Sequence, residues 1–385
     1  PAPEKNGLIR IGGEEVPFGR SLLFACDEMP AFVLGVEICE DLWVPQPPSV
    51  RHAVAGATVI ANLSASDEVI GKAEFRRTLV SGQSSRLVCA YLYADAGRGE
   101  SSTDLVFSGH NLIAQNGTLL SEAQPFGNGV AVSEIDLQDI SHERIRMTTF
   151  PALDTTGYTI IPFSMPLVPM TLTRTFARHP FVPDDPIRLK ERCEMILIIQ
   201  SEGLAKRVTH VGADSVVLGI SGGLDSTLAL LVCARTMRRL NRPMTDMVGV
   251  TMPAFGTSER TRSNAVRLCE AVGATLREID ITESVRSHFR DLGHSETDHS
   301  VLYENAQARE RTQVLMDLCH QTNGIVVGTG NLSELALGWA TYNGDHMSMY
   351  GVNASVPKTL VRFLVNYCRE TAENPLLATD FRQFP

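Results

Sequence analysis

Hydrophobic residues along the chain follow two different patterns. Over residues 1–140 they come as short, strand-length runs rich in β-branched and aromatic side chains, at 32–39, 57–63 and 87–93, each of which predicts a buried strand. Residues 70–87 between them have helical character, and 130–135 reads as a further strand. Residues 111–120 predict a hairpin, because Asn116-Gly117 supplies the two positive φ values of a tight type I′ turn. Residues 141–185 lose periodicity and are punctuated by Pro151, Pro162, Pro166, Pro169, Pro180 and Pro183, the pattern of a linker. From 186 onward helix and strand alternate. Helices are expected at 187–204, from Thr227, at 258–272 and at 304–319, with strands at 216–220, 247–252, 276–281 and 324–329. In the 258–272 helix, Ala265, Leu268, Cys269 and Val272 share one face. Such alternation predicts βαβ units in a doubly wound parallel sheet, whose ligands lie at the carboxyl ends of the strands. The Ser221-Gly222-Gly223 turn, the Met252-Pro253 turn and Thr329 would all lie at that edge.

At 385 residues two domains are expected: 1–140, then a linker at 141–185, then 186–385. A hydrophobic share of 43% and a charged share of 20% are ordinary for a chain that buries large cores. The net charge of −10 argues against a sequence-independent grip on nucleic acid or a membrane surface, since both need clustered positive charge. The basic run 235–242 fits a solvated helix end better than an RNA patch. The eight cysteines, at 26, 39, 89, 193, 233, 269, 319 and 368, form no C-x-x-C pair, so they suggest neither a zinc ribbon nor a disulfide scaffold. They fit a reducing, cytoplasmic setting. No apolar run approaches the ~18 residues of a membrane span. The opening Pro1-Ala-Pro reads as the interior of a longer protein.

The most informative stretch is Ser221-Gly-Gly-Leu-Asp-Ser226, placed after a buried strand and before a long helix. A helix N-terminus presents unpaired N–H groups and the positive end of the dipole, and two glycines let the backbone approach phosphate oxygens. The residue order is not that of a Walker loop. It resembles the PP-loop of the N-type ATP pyrophosphatases. That resemblance implies an ATP site made by Gly219, Ile220, Ser221, Gly222, Gly223, Leu224, Asp225 and Ser226, with Mg²⁺ near Asp225.

Cys39 ends the stretch Gly-Val-Glu-Ile-Cys-Glu-Asp-Leu-Trp43. By spacing alone it could be an inert buried thiol, but the segment is similar to the nucleophile segment of nitrilase-type glutaminase domains. That resemblance implies a nucleophilic Cys39, with a Glu base and a supporting Lys upstream. Neither upstream motif precedes Cys39: Lys5, Glu14 and Glu15 are available but lack the family context. The loop from Asn62 to Lys72 could simply be polar. It also resembles the same family's glutamine-holding loop, with Ser66 and Lys72 at the contact positions and Lys72 where the family often has Arg.

In the second half, Glu304-Asn-Ala-Gln-Ala-Arg309 opens a helix with Asn305 and Arg309 on one face, which could be no more than an i,i+4 pair. Likewise Asn331 and Glu334 could be a helix cap with its reciprocal carboxylate. Together, E-N-x-Q-A-R, Gly328-Thr-Gly-Asn-Leu-Ser-Glu334 and the following Gly-Trp-Ala-Thr-Tyr-Asn-Gly-Asp345 resemble the nucleotide and substrate loops of NAD synthetases. The resemblance implies that Thr329 contacts ATP and that Glu334 contacts Mg²⁺ or the acceptor. Asn305, Trp339, Ala340, Thr341, Tyr342 and Lys358 would also hold the acceptor, deamido-NAD.

The order of these pieces is similar to that of the glutamine-dependent NAD synthetases. It implies a partial nitrilase-like α-β-β-α sandwich followed by a doubly wound PP-loop domain. The implied activity is amidation of deamido-NAD, using ATP and Mg²⁺ and nitrogen from glutamine carried through a buried passage. The implied assembly is a homo-oligomer, a dimer through the second domain or an octamer. A PP-loop enzyme acting on tRNA, or a synthetase using free ammonia beside an inactive glutaminase half, are the alternatives. The chain runs out at 378–385, where the family continues into a Lys-containing loop.

Overall fold

The computed structural model describes residues 6–371 apart from 102 and 256–258, with no side-chain detail for 259–262. The expected features at 378–385 and at Lys5 lie outside the described residues. The chain divides between Phe176 and Ala177 into two units.

The first unit begins with a hairpin, β1 (Gly7–Ile11) and β2 (Glu14–Phe18). It continues through β3 (Leu22–Cys26), β4 (Val33–Ile38), α1 (Pro48–Val54), β5 (Val59–Ser64), α2 (Lys72–Leu87), β6 (Ala90–Asp95), β7 (Leu112–Gln115), β8 (Thr118–Glu122), α3 (Leu137–Arg146) and β9 (Thr159–Phe163). One seven-stranded mixed sheet runs in the order β8-β7-β6-β5-β4-β3-β9, with β4, β5 and β6 parallel at its centre. Successive residues of a central strand serve opposite faces. Ile60 and Tyr91 join the core with Ala53 and Val80, whereas Val59 and Ala90 meet Ile140 of α3 on the other side. The mixed α/β class is as expected. The Asn116-Gly117 turn is also as expected, with φ of 47° and 85°.

Two expectations for this unit need correction. Residues 130–135 form no strand: Val130 and Val132 are exposed, and the Val132 N–H goes to the Ser121 hydroxyl (3.2 Å) rather than to a backbone ladder. The expected linker at 141–185 includes the second half of α3 and all of β9, which pairs in parallel with β3 from Leu22↔Thr159 to Cys26↔Phe163. Pro162 is tolerated there because β9 is an edge strand.

The second unit runs α4 (Pro186–Val211), β10 (Ser215–Gly219), α5 (Leu224–Arg239), β11 (Met247–Thr251), α6 (Glu259–Val272), β12 (Thr275–Glu278), α7 (Thr282–Leu292), α8 (Val301–Gln321), β13 (Gly324–Gly328), α9 (Leu332–Leu337), β14 (Tyr350–Gly351) and α10 (Lys358–Glu370). Its five strands are all parallel, in the order β12-β11-β10-β13-β14. Strand order reverses between β10 and β13, and that crevice is where such a sheet holds ligands. The strand expected at 276–281 stops at Glu278, and Ile281 turns inward instead to precede α7. β10 is buried on both faces: Val216 and Leu218 pack toward α4, α5 and α10, and Val217 packs toward α7 and α8. Leu218 is fully buried. Leu218→Ala is expected to cost about 2–5 kcal/mol, read in the denaturant unfolding transition of this unit.

Candidate active sites

In the first unit, Cys39 stands directly after β4, where the backbone leaves the sheet in a 3-10 turn, Cys39–Leu42. Its φ of 51° is left-handed, an uncommon conformation for a residue with a Cβ. Asn62 from β5 holds that conformation: its Oδ1 accepts the Cys39 N–H (3.0 Å) and its Nδ2 donates to the Cys39 carbonyl (3.3 Å). Asn62 is itself fixed by the Ser64 hydroxyl (2.7 Å) and by the Tyr91 hydroxyl (3.2 Å). Tyr91 donates to Glu37 Oε1, while Glu37 Oε2 accepts the Ser49 N–H (2.8 Å) and the Ser49 hydroxyl accepts from Gln83 (2.8 Å). Glu37, Asn62, Tyr91 and Ser49 are all buried. Burial, reinforced by the Glu37 carboxylate, pushes the Tyr91 hydroxyl far above its usual range, so it remains a donor. This is a sealed network under the thiol in which the described partners are satisfied. Tyr91→Phe strips a partner from both Glu37 and Asn62. It is expected to cost about 1–3 kcal/mol of stability in denaturant unfolding.

Beside it, the loop after β5 is tied down from below. The Ser66 N–H donates to Asp95 Oδ1 (2.8 Å) and its hydroxyl lies 3.4 Å from Arg76. Arg76 is completely buried, reaching Glu68 (3.1 Å) and His110 (2.8 Å). Lys72 pairs with Asp67 (2.6 Å) and lies 5.5 Å from the Trp43 ring centroid. The Lys72 ammonium holds the Asp67 carboxyl below its usual value. Ser66 on the loop after β5 and Lys72 at the start of α2 are thus each already engaged.

In the second unit, β10 leads through Gly219 and Ile220 into the glycine turn. Gly222 has a φ of 78°, which a side chain rarely adopts. No side chain caps α5 at Gly223. The Ser221 hydroxyl accepts the Gly223 N–H (3.3 Å) and lies 3.2 Å from the Ser226 hydroxyl, while Ser226 and Thr227 both donate to the Gly223 carbonyl (3.0 and 2.8 Å). Ser221 and Gly223 are exposed, so the turn and the first N–H groups of α5 are open to an anion.

Asp225 in that first turn is gripped from two sides. Oδ1 accepts from Asn331 Nδ2 (3.0 Å), and Oδ2 forms an ion pair with Lys358. Asn331 also caps α9 through the N–H groups of Ser333 (2.9 Å) and Glu334 (3.1 Å), and its own N–H goes to Glu334 Oε2 (3.0 Å). The plain capping reading of Asn331 and Glu334 is therefore realised. The same box ties the Glu334 carboxylate to Asn331, the residue that also grips Asp225, with one Glu334 oxygen still uncommitted among the hydrogen bonds described. Lys358 is tied to the cap as well, its N–H donating to the Ser333 hydroxyl (3.1 Å).

The remaining predicted residues form a second group. Asn305 Oδ1 accepts the Thr341 hydroxyl (2.7 Å), and Arg309 Nε donates to the Tyr342 carbonyl (3.1 Å). Asn305 and Arg309 share a face of α8 as expected, and that face grips the 339–342 loop. Trp339 and Tyr342 are about 80% exposed, their rings uncovered. Thr329 follows β13, and its carbonyl accepts from Asn353 Nδ2 (3.1 Å). Sequence reasoning passed over Glu37, Tyr91, Arg76 and Asn353. The available signal was a charged, amide or phenol side chain inside an otherwise apolar or turn-rich segment, whose partner lies far along the chain.

Residues 197–371 match the family model described as NAD synthase. The chain is 46% identical over 388 residues to the glutamine-dependent NAD(+) synthetase of Mycobacterium bovis, covering 97% of this chain and 57% of that protein. Over nearly its whole length the chain is similar to the glutamine-dependent NAD(+) synthetases. The family's enzyme from Mycobacterium leprae is 46% identical over 382 residues, covering 95% of this chain and 56% of its own length. The chain thus spans a little over half the length of these curated relatives. A solved glutamine-dependent NAD+ synthetase from Acinetobacter baumannii, in complex with ADP, overlaps the whole chain and 61% of its own at 22% identity, with a TM-score of 0.47. No helix among the described residues is long and apolar enough to cross a membrane.

Proposed function

We propose that the chain catalyses ATP-dependent amidation of deamido-NAD to NAD, using nitrogen released from glutamine at Cys39. The observation that carries this reading is Asp225. It sits in the first turn of an uncapped helix at the sheet's switch point, held by Asn331 and Lys358, and Asn331 in turn holds Glu334.

In the first unit, Cys39 Sγ attacks the side-chain amide carbon of glutamine. The C–N bond breaks, ammonia leaves and a glutamyl thioester remains for water to hydrolyse. The Asn62 clamp holds the nucleophile's backbone, and Cys39 itself is only half-buried. Ser66 and Lys72 are assigned to the glutamine.

In the second unit, the nicotinate carboxylate attacks the α-phosphorus of ATP and pyrophosphate leaves. Ammonia then adds to the acyl carbon of the adenylate, and AMP departs with the bond electrons. Negative charge collects on the departing phosphates, which the glycine turn 221–223 and the positive end of α5 would meet. Lys358 moves from Asp225 to those phosphates, and Thr329 meets the nucleotide. Asn305, Ala340 and Thr341 shape the acceptor pocket, and Trp339 and Tyr342 offer rings for stacking. Asp225 and Glu334, joined through Asn331, are the carboxylates that would hold a Mg²⁺ ion, and two carboxylates with phosphate and water oxygens are a usual donor set for this metal. Bound there, Mg²⁺ supplies Lewis-acid neutralisation of phosphate charge.

We extend the proposal to a homo-oligomer assembled through the second unit, because Ile187, Met195 and Ile199 leave an exposed apolar stripe on α4. The functional reading is tested by supplying the full-length protein with deamido-NAD, Mg-ATP and glutamine. NAD, AMP and pyrophosphate should appear in equal amounts. ADP in place of AMP contradicts the reading.

A further inference from the structure

We propose that Asn353 is a positioning residue that fixes the distance between the two ends of the nucleotide site. The inference rests on the reading above, in which the triphosphate lies at the N-terminus of α5 and the nucleoside end lies near Thr329.

Asn353 is fully buried in the turn between β14 and α10, so it touches no ligand itself. Its Nδ2 donates to two main-chain carbonyls, those of Asp225 (3.0 Å) and Thr329 (3.1 Å). One carbonyl belongs to the first turn of α5, the other to the segment leaving β13. These are the two walls of the crevice where strand order reverses. Asn353 Oδ1 accepts from Gln200 Nε2 (3.0 Å) of α4, which also donates to the Val352 carbonyl (2.9 Å). Both amide hydrogens and the amide oxygen are therefore used, and the side chain is held from behind.

The geometry demands a primary amide. Only one nitrogen with two hydrogens serves two carbonyls from a single point. Aspartate would aim acceptors at acceptors, leucine would remove both donations, and serine is too short to span them. The clamp fixes the two walls relative to each other without forming either of them: the phosphate turn is built by Ser221, Gly222, Gly223 and Ser226, and Asn331 holds the Asp225 carboxylate independently.

ATP is effectively a bivalent ligand that binds at both walls at once. Its advantage over pyrophosphate or AMP depends on wall spacing that matches the molecule. Loss of the clamp should therefore penalise ATP selectively.

The test is calorimetric binding to the full-length protein with three probes: Mg-ATP, Mg-pyrophosphate and AMP. For Asn353→Leu, Mg-ATP affinity is expected to fall by about tenfold or more, with pyrophosphate and AMP affinities changing by about twofold at most. If Asn353→Leu does not fold, Asn353→Ser and Gln200→Leu weaken the same clamp and carry the same expectation in smaller measure. Unchanged ATP affinity in the folded variants overturns the proposal. A parallel loss for all three probes also overturns it, since that marks a residue that merely supports the fold. A wild-type protein that binds neither Mg-ATP nor Mg-pyrophosphate overturns the underlying functional reading, and the clamp with it.

Discussion

Cys39→Ala is expected to abolish NAD formation from glutamine, by about a thousandfold or more, while leaving NAD formation from added ammonium within about twofold. The asymmetry follows from where Cys39 sits. It projects from the carboxyl end of β4 in the first unit, and its hydrogen-bond neighbours are Asn62 and, through it, Ser64 and Tyr91. None of these belongs to the sheet that carries Asp225. Alanine tolerates φ near 51° no better than cysteine does, and it keeps the N–H and carbonyl that Asn62 grips, so the loop has no new reason to move. The measurement is the initial rate of NAD formation with each nitrogen source. Equal losses with both sources, or glutamine use that survives, would show that the thiol is not the nucleophile.

Asp225→Asn has the complementary expectation, a fall of about a hundredfold to a thousandfold with glutamine and ammonium alike. The substitution is nearly isosteric, but it removes the charge that pairs with Lys358 and that a divalent cation needs. It also weakens the hydrogen bond from Asn331, because a charged acceptor becomes a neutral one. Helix α5 has no side-chain cap, so the loss of a negative group in its first turn also removes favourable interaction with the helix dipole. Glutamine hydrolysis at Cys39, measured as glutamate release, is the control that separates chemistry in the second unit from damage to the whole protein. A rate within about threefold of wild type with ammonium would remove Asp225 from the reacting site.

Much of this arrangement was legible from local pattern. A strand, two glycines and a helix start are written consecutively from Ser215 to Ser226, so the turn could be read without knowing what packs around it. The same holds for Asn331 and Glu334, whose spacing encodes a capping box. Asn305 and Arg309 on α8 were legible as sharing one face, but the loop they hold was not, because the Thr341 and Tyr342 contacts span more than thirty positions.

The failures share a physical cause. β9 was hidden because it is an edge strand carrying a proline, and its sequence Thr-Ile-Ile-Pro-Phe does not alternate apolar with polar. Val130 and Val132 look like strand residues, but they have no neighbouring ladder to join. Glu37 and Tyr91 look like ordinary interior positions of apolar runs, and only the pairing of β4, β5 and β6 reveals them as one buried network under Cys39. Asn353 sits in an unremarkable turn, and its importance comes from two carbonyls that the fold brings to it.

The central claim is that nitrogen freed at Cys39 ends up in the carboxamide of NAD. Its most direct test supplies the full-length enzyme with deamido-NAD, Mg-ATP and glutamine whose side-chain amide carries the heavy nitrogen isotope, with the NAD product weighed by mass spectrometry. The expected product is NAD one mass unit heavier than the unlabelled compound, even when ordinary ammonium is present at a comparable concentration. NAD of ordinary mass, or NAD labelled only to the extent of the free ammonium pool, would contradict it.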